Sequence, residues 1–474
     1  MRVENIYKST LSIVFATLPI QKSIMSSNQS KLYTWSLIVG LAGFLFGFDT
    51  VVISGADQSL SKLWSSYTLG GASSAFHGIV VMSSALWGTV LGAALGAFPT
   101  DKLGRKKTLF FIGILYFVSA LGSALTSDPF LFALFRFIGG IGVGVSTIAA
   151  PAYVSEIAPA KERGKLVALY QFNIVFGILI AFASNYFIGS LVSEINAWRY
   201  MLGAEALPAL AYLLLINKVP RSPRWLLSRG EIDQAKSILS RLSHASANID
   251  EVISDIDRDK ETEIAETVFQ KKYRKQLWLV IALAAFNQFS GINAFLYYSP
   301  RIFEMAGLES SAALLSSIGV GVVNLVFTLI GLSLIDKSGR KKLMILGSIG
   351  YILSLGLVTY SFITEWFGMH VAYFFFLFIA SHAIGQGAVI WVFISEVFPN
   401  KQRAQGQAVG TSTHWVLAAI IPALVPLLFT TIGASTVFGI FTVMMVLQLI
   451  WVLLVMPETK GVSLEELSRN LGQE

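Results

Sequence analysis

Twelve apolar stretches, each long enough to cross a bilayer as a helix, constrain the fold of this 474-residue chain more than any other feature. A hydrocarbon core of ~30 Å requires ~20 helical residues. Only 13% of the residues are charged, which excludes a soluble globular enzyme, a disordered chain and a nucleic-acid binder. The predicted spans, numbered 1 to 12, are 32–55, 73–98, 108–126, 129–151, 165–190, 198–217, 277–302, 312–335, 343–364, 370–394, 405–430 and 434–456.

The distribution of Lys and Arg predicts which ends of the spans face the cytoplasm. Loops after the even-numbered spans, with the adjoining span ends, hold 25 of these residues, against Lys62, Arg199 and Arg301 on the other side. Because cytoplasmic loops are enriched in Lys and Arg, we expect both termini in the cytoplasm. The net charge of +7 then reflects loops facing an anionic leaflet, and the absence of cysteine excludes disulfides and Cys-ligated metals.

The largest polar segment divides the chain into two similar parts. It carries 12 basic and 10 acidic residues and predicts a cytoplasmic helical linker. The run 11–20 resembles a weak signal segment but is too short to span, so we expect either a disordered cytoplasmic tail or a true start at Met25. The predicted domains are an N-terminal tail at 1–31, a six-helix bundle at 32–217, the linker at 218–275, a second six-helix bundle at 276–456 and a cytoplasmic tail at 457–474.

Two motifs recur in the same order in both halves. The segment 96–107 after span 2 returns as 331–342 after span 8, at an offset of 235 residues. The segment 155–163 after span 4 returns as 395–403 after span 10, at an offset of 240 residues. This predicts a parallel duplication, the arrangement of transporters whose two bundles rock against each other.

The charged residues of these motifs predict ion pairs at the cytoplasmic surface. Arg105 and Arg340 can each pair with the carboxylate of the neighbouring Glu-x6-Arg loop, and such pairs would hold one conformation closed. The alternative is that the basic loops only set the topology. The candidate residues are Asp101, Arg105, Glu156, Arg163, Arg224, Asp336, Arg340, Glu396 and Arg403.

Together with Pro-Arg-Ser-Pro-Arg-Trp-Leu at 220–226 and the segment 457–466, these motifs resemble the sugar porter family of the major facilitator superfamily. The resemblance runs from about residue 33 to the C-terminus. It implies an all-α polytopic membrane protein, in which twelve transmembrane helices form two six-helix bundles with short cytoplasmic linker helices. It also implies a monomer in the cell inner membrane that carries a monosaccharide, without cofactor, metal, nucleic acid or enzymatic reaction. Arg221 replaces the usual family glutamate, so we expect the ion pairs on that side to be rewired or weaker.

Three ionisable residues fall well inside the spans, namely Asp49 in span 1, Arg136 in span 4 and Glu205 in span 6. Each lies ~10 Å below the same outer surface, at 1.5 Å per residue. One guanidinium neutralises one carboxylate at a time, so the other must bind a proton or face water. The resemblance assigns the proton carrier to Asp49, where mammalian facilitative carriers have asparagine. The alternative is a static ion pair in a facilitator.

Neutral polar groups near the middle of the membrane suit a sugar, which needs amides and an aromatic platform. Span 7 carries Asn287, Gln288 and Asn293, and we expect Ser290-Gly291 to unwind the helix and turn these amides inward. The alternative for each amide alone is helix–helix association. Further candidates, of which the two tryptophans match sugar-contacting positions of the family, are Gln171, Asn324, His382, Trp391, His414 and Trp415.

The resemblance also bears on the cargo and the mode of transport. Ile178 stands where xylose symporters have glutamine and glucose carriers have isoleucine, which favours a hexose such as glucose or galactose. Proton-coupled symport and proton-independent uniport both remain open. A sugar sensor is a remote alternative because it usually has a long tail, whereas 457–474 has 18 residues. A membrane enzyme would need clustered ligands or a nucleophile with its base, and the five histidines are scattered.

Overall fold

The structure is a computed structural model that describes residues 27–242, 267–399 and 402–462. Most of the predicted tail 1–31, the middle of the linker and the end of the tail 457–474 lie outside these residues. Within them the chain is helical and forms no strand. Twelve helices are long and apolar enough to cross a membrane, which confirms the predicted fold class.

In the first half, span 1 is longer than the sequence predicts. The predicted end at residue 55 is wrong, because the polar residues that follow do not interrupt the helix, which ends at Leu63. Breaks in spans 2 and 6 divide each of them into shorter helices. Spans 1 to 6 comprise Ser27–Leu63; Ser73–Phe76, the π-helix His77–Met82 and Ser84–Leu95; Arg105–Leu125; Pro129–Ile157; Ala160–Leu191; and Glu194–Ala204 with Ala206–Ile216.

The second half has breaks in spans 7 and 10. The described part of the linker is helical, as predicted, at Pro223–Ser228 and Ile232–Arg241. A further short helix, Ala97–Lys102, follows span 2. Spans 7 to 12 comprise the 3-10 turn Lys271–Tyr273 with Arg274–Phe289 and Ile292–Met305; Ser310–Ser338; Arg340–Ile363; Met369–Ile384 with Gln386–Glu396; Arg403–Thr431; and Ala434–Leu454.

Small residues allow the spans to approach each other closely. A Cβ on Gly47 of span 1 would lie 1.9 Å from the carbonyl oxygen of Ile174 in span 5. Gly140 of span 4 meets the carbonyl oxygen of Ala85 in span 2 at 1.8 Å by the same measure. Since apolar lipid gives helices little hydrophobic reason to associate, such backbone approach is what holds a membrane bundle together.

The two halves share an apolar core at one end and have separate cores at the other. One buried cluster contains residues of both halves, such as Phe48 of span 1 and Trp415 of span 11. A second cluster draws only on residues 32–242 and a third only on residues 268–456. The separate cores lie toward the linker, and we call the opposite end of the molecule the outer end. The described halves are therefore packed together there and in the middle, and divided toward the linker.

Candidate functional site

The predicted carboxylate–guanidinium pair is present in the buried middle of the first half. Asp49 and Arg136 are each 1% exposed. The Arg136 guanidinium donates to the Asp49 carboxylate, and its Nη2 donates to the Asp49 backbone carbonyl at 3.1 Å. Hydrogen bonds between two ionised groups are about twice as strong as neutral ones. Spans 1 and 4 are thus joined by one charged contact inside the membrane.

Glu205 lies beside this pair without a hydrogen bond of its own. It occupies the break between Glu194–Ala204 and Ala206–Ile216 and is 1% exposed. Within the described residues neither carboxylate oxygen has a hydrogen-bond partner, and the charges of Asp49 and Arg136 act on it. Because leaving a buried carboxylate unpaired costs several kcal/mol, this group requires a proton or a new partner. The three residues predicted to act together therefore lie together.

A break in the span 7 helix brings its three amide side chains into one chain of hydrogen bonds, which we call the amide chain. Gly291 adopts a left-handed conformation with φ 81°, which confirms the predicted unwinding at Ser290-Gly291. Asn293 Nδ2 donates to Gln288 Oε1 at 2.9 Å, and Gln288 Nε2 donates to Asn287 Oδ1 at 3.0 Å. These amides are nearly buried and satisfy one another, so a ligand could exchange its hydroxyls for their internal hydrogen bonds.

Aromatic rings from spans 10 and 11 adjoin these amides. A ring nitrogen of His414 lies 3.2 Å from Gln288 Nε2, and the Trp391 and Trp415 rings lie 4.9 and 5.1 Å from the His414 ring. Trp415 also packs against Phe46 of span 1 at 5.8 Å between ring centroids, so this cluster reaches the other half. Trp415 Nε1 is buried without a partner in the described chain. Its N–H is therefore a donor that a bound ligand could satisfy.

Three other predicted residues lie outside this hydrogen-bonded cluster. Asn324 is 8% exposed and its Oδ1 accepts from Thr328 at 3.4 Å. Gln171 is half-buried on span 5, and Ile178 on the same span belongs to the apolar core that both halves share. Among the described residues, no hydrogen bond joins these side chains to the span 7 amides. These three residues are therefore not part of the hydrogen-bonded amide chain in this conformation.

His382 belongs to a separate polar network in the second half. Its Nδ1 lies 2.5 Å from the Tyr351 hydroxyl, which donates to Gln386 Oε1 at 3.2 Å. Gln386 in turn donates to Gln448, which donates to Ser348 at 2.7 Å. This network joins spans 9, 10 and 12, and it could not be predicted because the three spans are far apart in the chain. In this conformation the hydrogen-bond partner of His382 Nδ1 is the Tyr351 hydroxyl.

At the linker end of the first half, the predicted ion pair forms inside the bundle. Arg105 Nε donates to Glu156 Oε1 at 2.8 Å, and Arg105 Nη1 lies 3.0 Å from Asp101 Oδ1. The Ser222 hydroxyl also donates to Glu156, a contact that the sequence did not identify. Arg224 is half-buried and its charge acts on Glu156. This pair joins the start of span 3 to the end of span 4.

The second half repeats this pair at its own linker end. Arg340 donates to Glu396 at 2.7 and 3.0 Å, and it lies 3.4 Å from Asp336 Oδ1. Arg403 borders the same cluster and lines a cavity of 410 Å³ with it. Arg163, by contrast, is exposed. Arg105 and Arg340 thus each contact carboxylates of their own half.

A charged cluster at the outer end was not predicted from the sequence. His77 and Arg301 both contact Asp57 there, and Asp57 is 1% exposed. Asp57 lies beyond the predicted end of span 1 at residue 55, whereas the helix continues to Leu63 and places Asp57 among the buried residues.

Comparison with known proteins agrees with this fold along nearly the whole chain. The family described as "Sugar (and other) transporter" matches residues 35–471. The D-xylose-proton symporter of Escherichia coli K12 is 35% identical over 473 residues, covering 93% of this chain and 96% of the relative. The arabinose-proton symporter of Bacillus subtilis 168 is 35% identical over 446 residues, covering 92% of this chain and 94% of the relative.

A solved structure gives the same result in three dimensions. The inward-open conformation of the xylose transporter XylE from E. coli superposes with a TM-score of 0.83 at 32% identity, covering 93% of this chain and 99% of that one. Both the extent of the match and the identity exceed what a shared fold alone would require. The chain belongs to the sugar porter family of the major facilitator superfamily.

Proposed function

We propose that this protein is a secondary active transporter that moves a monosaccharide across the membrane together with a proton. The observation that carries the proposal is the buried Asp49–Arg136 pair with the unpaired carboxylate of Glu205 beside it. No organic reaction takes part in this activity. The protein acts as a monomer in the cell inner membrane, with both termini in the cytoplasm.

The orientation rests on charge and packing. The linker end carries most of the Lys and Arg residues, so it faces the cytoplasm. The apolar cores of the two halves are separate toward this end. The described conformation is therefore inward-facing, and alternating access requires the outer contacts between the halves to break and the linker ends to meet.

Proton coupling follows from the charge balance of three groups. An ionised Asp49 holds Arg136, as the hydrogen bonds between them indicate. When Asp49 takes up a proton, Arg136 is released and can pair with Glu205 instead. The guanidinium neutralises one carboxylate at a time, so a proton that binds Asp49 from outside the site frees Arg136 for Glu205, and its release restores the Asp49–Arg136 pair. A protonated Asp49 is thus the state in which the proton is carried.

The sugar site is the region between the halves that the span 7 amides border. Asn287, Gln288 and Asn293 supply donors and acceptors, while Trp391 and Trp415 supply flat apolar surfaces. The remaining contacts come from His414, Asn324, Gln171 and His382. Relatives include symporters named for xylose, arabinose and galactose. The apolar Ile178 leaves space for the C6 group, and this favours a hexose.

Counterflow in proteoliposomes tests the transport proposal. Labelled glucose, galactose and xylose are exchanged with and without an imposed pH gradient, for the wild type and for Asp49→Asn. We expect Asp49→Asn to keep exchange and to lose gradient-driven accumulation. A wild type that equilibrates sugars without accumulating them would make the protein a facilitator. A wild type that exchanges no sugar would show that the cargo is wrong.

The two buried histidines provide a matched test of the sugar site. His414 contacts the amide chain, whereas Nδ1 of His382 contacts Tyr351. We expect His414→Ala to raise the KM for sugar exchange about tenfold, equivalent to ~1.4 kcal/mol, and His382→Ala to raise it less. Equal effects would show that His382 contributes as much to sugar binding as His414, and no effect of His414→Ala would remove that residue from the site.

A further inference from the structure

A buried ion pair joins the two halves at the outer end. Arg301 of span 7 donates to both carboxylate oxygens of Asp57 in span 1, from Nε at 2.6 Å and from Nη2 at 3.1 Å. His77 Nε2 of span 2 lies 2.6 Å from Asp57 Oδ1. Asp57 and His77 are 1% and 4% exposed. Two parallel bonds from one guanidinium make this the strongest type of side-chain pairing between ions.

The surrounding groups also link the halves. Gln58 Nε2 donates to Glu304 Oε2 at 2.6 Å, where Gln58 is one residue past Asp57 and Glu304 is three residues past Arg301. The Arg301 guanidinium lies 5.9 Å from the centre of the Tyr298 ring, and the charge of Glu304 acts on it as well. Asp57 is therefore faced by the cation of Arg301, the ring of His77 and the Tyr298 side chain.

The helix of span 7 is interrupted on the inner side of Arg301. Gly291 is left-handed, Tyr298 has the non-helical angles φ −119° and ψ 16°, and Pro300 precedes Arg301 directly. Residues that leave helical geometry are where a helix absorbs a change of direction. The segment that carries Arg301 and Glu304 can therefore move as a unit relative to the inner part of span 7.

We propose that Asp57, His77 and Arg301 form a charge lock that holds the outer end closed and must break each time the transporter opens outward. The proposal rests on the proposed function, because it takes the outer end as the extracellular side of an alternating-access carrier. It involves neither the Asp49–Arg136 pair nor the amide chain. It adds a second charged device, which controls access rather than binding.

The lock has an asymmetric composition that suits repeated opening. Arg301 belongs to the second half and leaves Asp57 when the halves separate. His77 belongs to the same half as Asp57 and stays with it. Because an unpaired buried carboxylate is costly, a partner that remains lowers the cost of opening. His77 is thus a positioning residue, which holds the Asp57 carboxylate in the orientation that binds Arg301 when the outer end closes.

The absence of cysteine makes a direct measurement of closure straightforward. Ser74 Oγ of span 2 and Thr430 Oγ1 of span 11 lie 3.2 Å apart across the same interface. The double variant Ser74→Cys/Thr430→Cys, made in the full chain in lipid nanodiscs, is expected to form a disulfide rapidly under mild oxidation. Its rate reports how often the outer end is closed.

In this background, Asp57→Asn or Arg301→Gln is expected to slow cross-linking about tenfold, equivalent to ~1.4 kcal/mol. Combining both changes should slow it no further than either alone, because the two side chains act through one contact. Arg199→Gln is the matched control. Arg199 is also an arginine at the outer end, but its hydrogen bonds go to Ala124, Thr126 and Ser127 of its own half. It should leave the rate unchanged.

Two further variants separate a lock from general damage. Arg301→Lys keeps the charge and loses the second hydrogen bond, so we expect a rate between the wild type and Arg301→Gln. His77→Leu should slow cross-linking, and His77→Gln, which retains a donor, should restore it. Unchanged rates in Asp57→Asn and Arg301→Gln would overturn the lock, as would equal slowing by Arg199→Gln.

The assay requires neither sugar nor a proton gradient, so it is independent of the transport test. Slower cross-linking in a protein that transports no sugar would uphold the lock and contradict the proposed cargo. Normal sugar accumulation with unaffected cross-linking would uphold the proposed transport function and contradict the lock.

Discussion

The linker ends of the two halves carry the same arginine–glutamate pair and the same supporting hydroxyl. In the first half the Ser222 side chain donates to Glu156. In the second half the Thr459 side chain donates to Glu396 at 2.6 Å. Ser222 and Thr459 each follow a Pro-x dipeptide just past the last span of their half. The duplication therefore extends beyond the two loop motifs to the segment that leaves each bundle.

The two halves differ at the residue that directly precedes Ser222 or Thr459. In the second half this is Glu458, which accepts the backbone N–H groups of Arg340 at 2.9 Å and Lys341 at 3.1 Å. These are the first residues of span 9, where helix N–H groups lack helical partners. A Cβ on Gly339 would lie 2.5 Å from Glu458 Oε2, so glycine is what lets the carboxylate approach.

In the first half the corresponding residue is Arg221, whose cationic side chain cannot accept from the N–H groups at the helix start. It lies 3.7 Å from Glu231 of the linker, and both side chains are about a third exposed or more. The start of span 3 is covered instead by Trp225, whose ring lies against Gly104 and whose Nε1 donates to the Asp101 carbonyl at 2.8 Å. Arg221 thus pairs with the linker, and the Arg105–Glu156 pair forms as its counterpart does in the second half. One half caps its helix with charge, and the other covers it with an aromatic ring.

The largest effect should come from removing the element that the halves share. Arg340→Ala leaves Glu396 without its cation in a mostly buried cluster, and we expect the free energy of unfolding to fall by about 3 kcal/mol. Arg105→Ala should have a similar effect in the first half. Thermal unfolding in detergent measures both, with the exposed Lys342→Ala as the control. A loss no greater than that of Lys342→Ala would show that the pair contributes little to stability.

The next effect should separate the two halves. Glu458→Gln keeps an acceptor for the backbone N–H groups but removes the negative charge at the start of span 9. We expect a loss of about 1 kcal/mol, the usual size of a favourable charge at a helix N-terminus. Arg221→Gln should cost less than about 0.5 kcal/mol, because an exposed ion pair is worth little. If the two losses are equal, the charge of Glu458 is not acting on the helix.

The Glu458 contribution should also depend on pH. Partial burial raises the pKa of this carboxyl, but hydrogen bonds from the backbone N–H groups of Lys460, Arg340, Lys341 and Thr459 outweigh it, and the net pKa is lowered. The stabilisation is therefore fully present above the unfolded-state pKa of about 4.3 and is lost as pH falls through the lower folded-state value. The stability difference between the wild type and Glu458→Gln should stay constant from about pH 5 to 7 and shrink in more acidic solution. A difference that grows on acidification would contradict this assignment.

The elements that repeat were the ones that the sequence could predict. Two copies of a motif at nearly one offset indicate that Arg105 and Arg340 have equivalent partners, and the structure pairs each with the expected glutamate. The break at Gly291 was also predictable, because Ser-Gly among amides is an unfavourable helix sequence in an apolar span.

Contacts made once, between distant parts of the chain, could not be predicted. Asp57 and Arg301 are separated by 244 positions and lie on different halves. Spans that are apolar nearly all round carry no period that tells which face meets which neighbour. Glu458 stood within a recognised motif, but its role as a cap depends on the tail returning to the start of span 9, which only the fold reveals.

The smallest effect tests whether the first half can accept the cap that it lacks. Arg221 adjoins the start of span 3, where its charge acts on Lys106. Arg221→Glu removes that repulsion and supplies a carboxylate near a helix N-terminus, so we expect a gain of about 0.5 kcal/mol in thermal unfolding. Arg221→Gln, which removes both the repulsion with Lys106 and the Glu231 ion pair but adds no carboxylate, is the control. A stability no higher than that of Arg221→Gln would mean that the Trp225 ring against Gly104 already excludes a carboxylate from the helix start. The aromatic cover and the charged cap would then be mutually exclusive solutions to the same unsatisfied N–H groups.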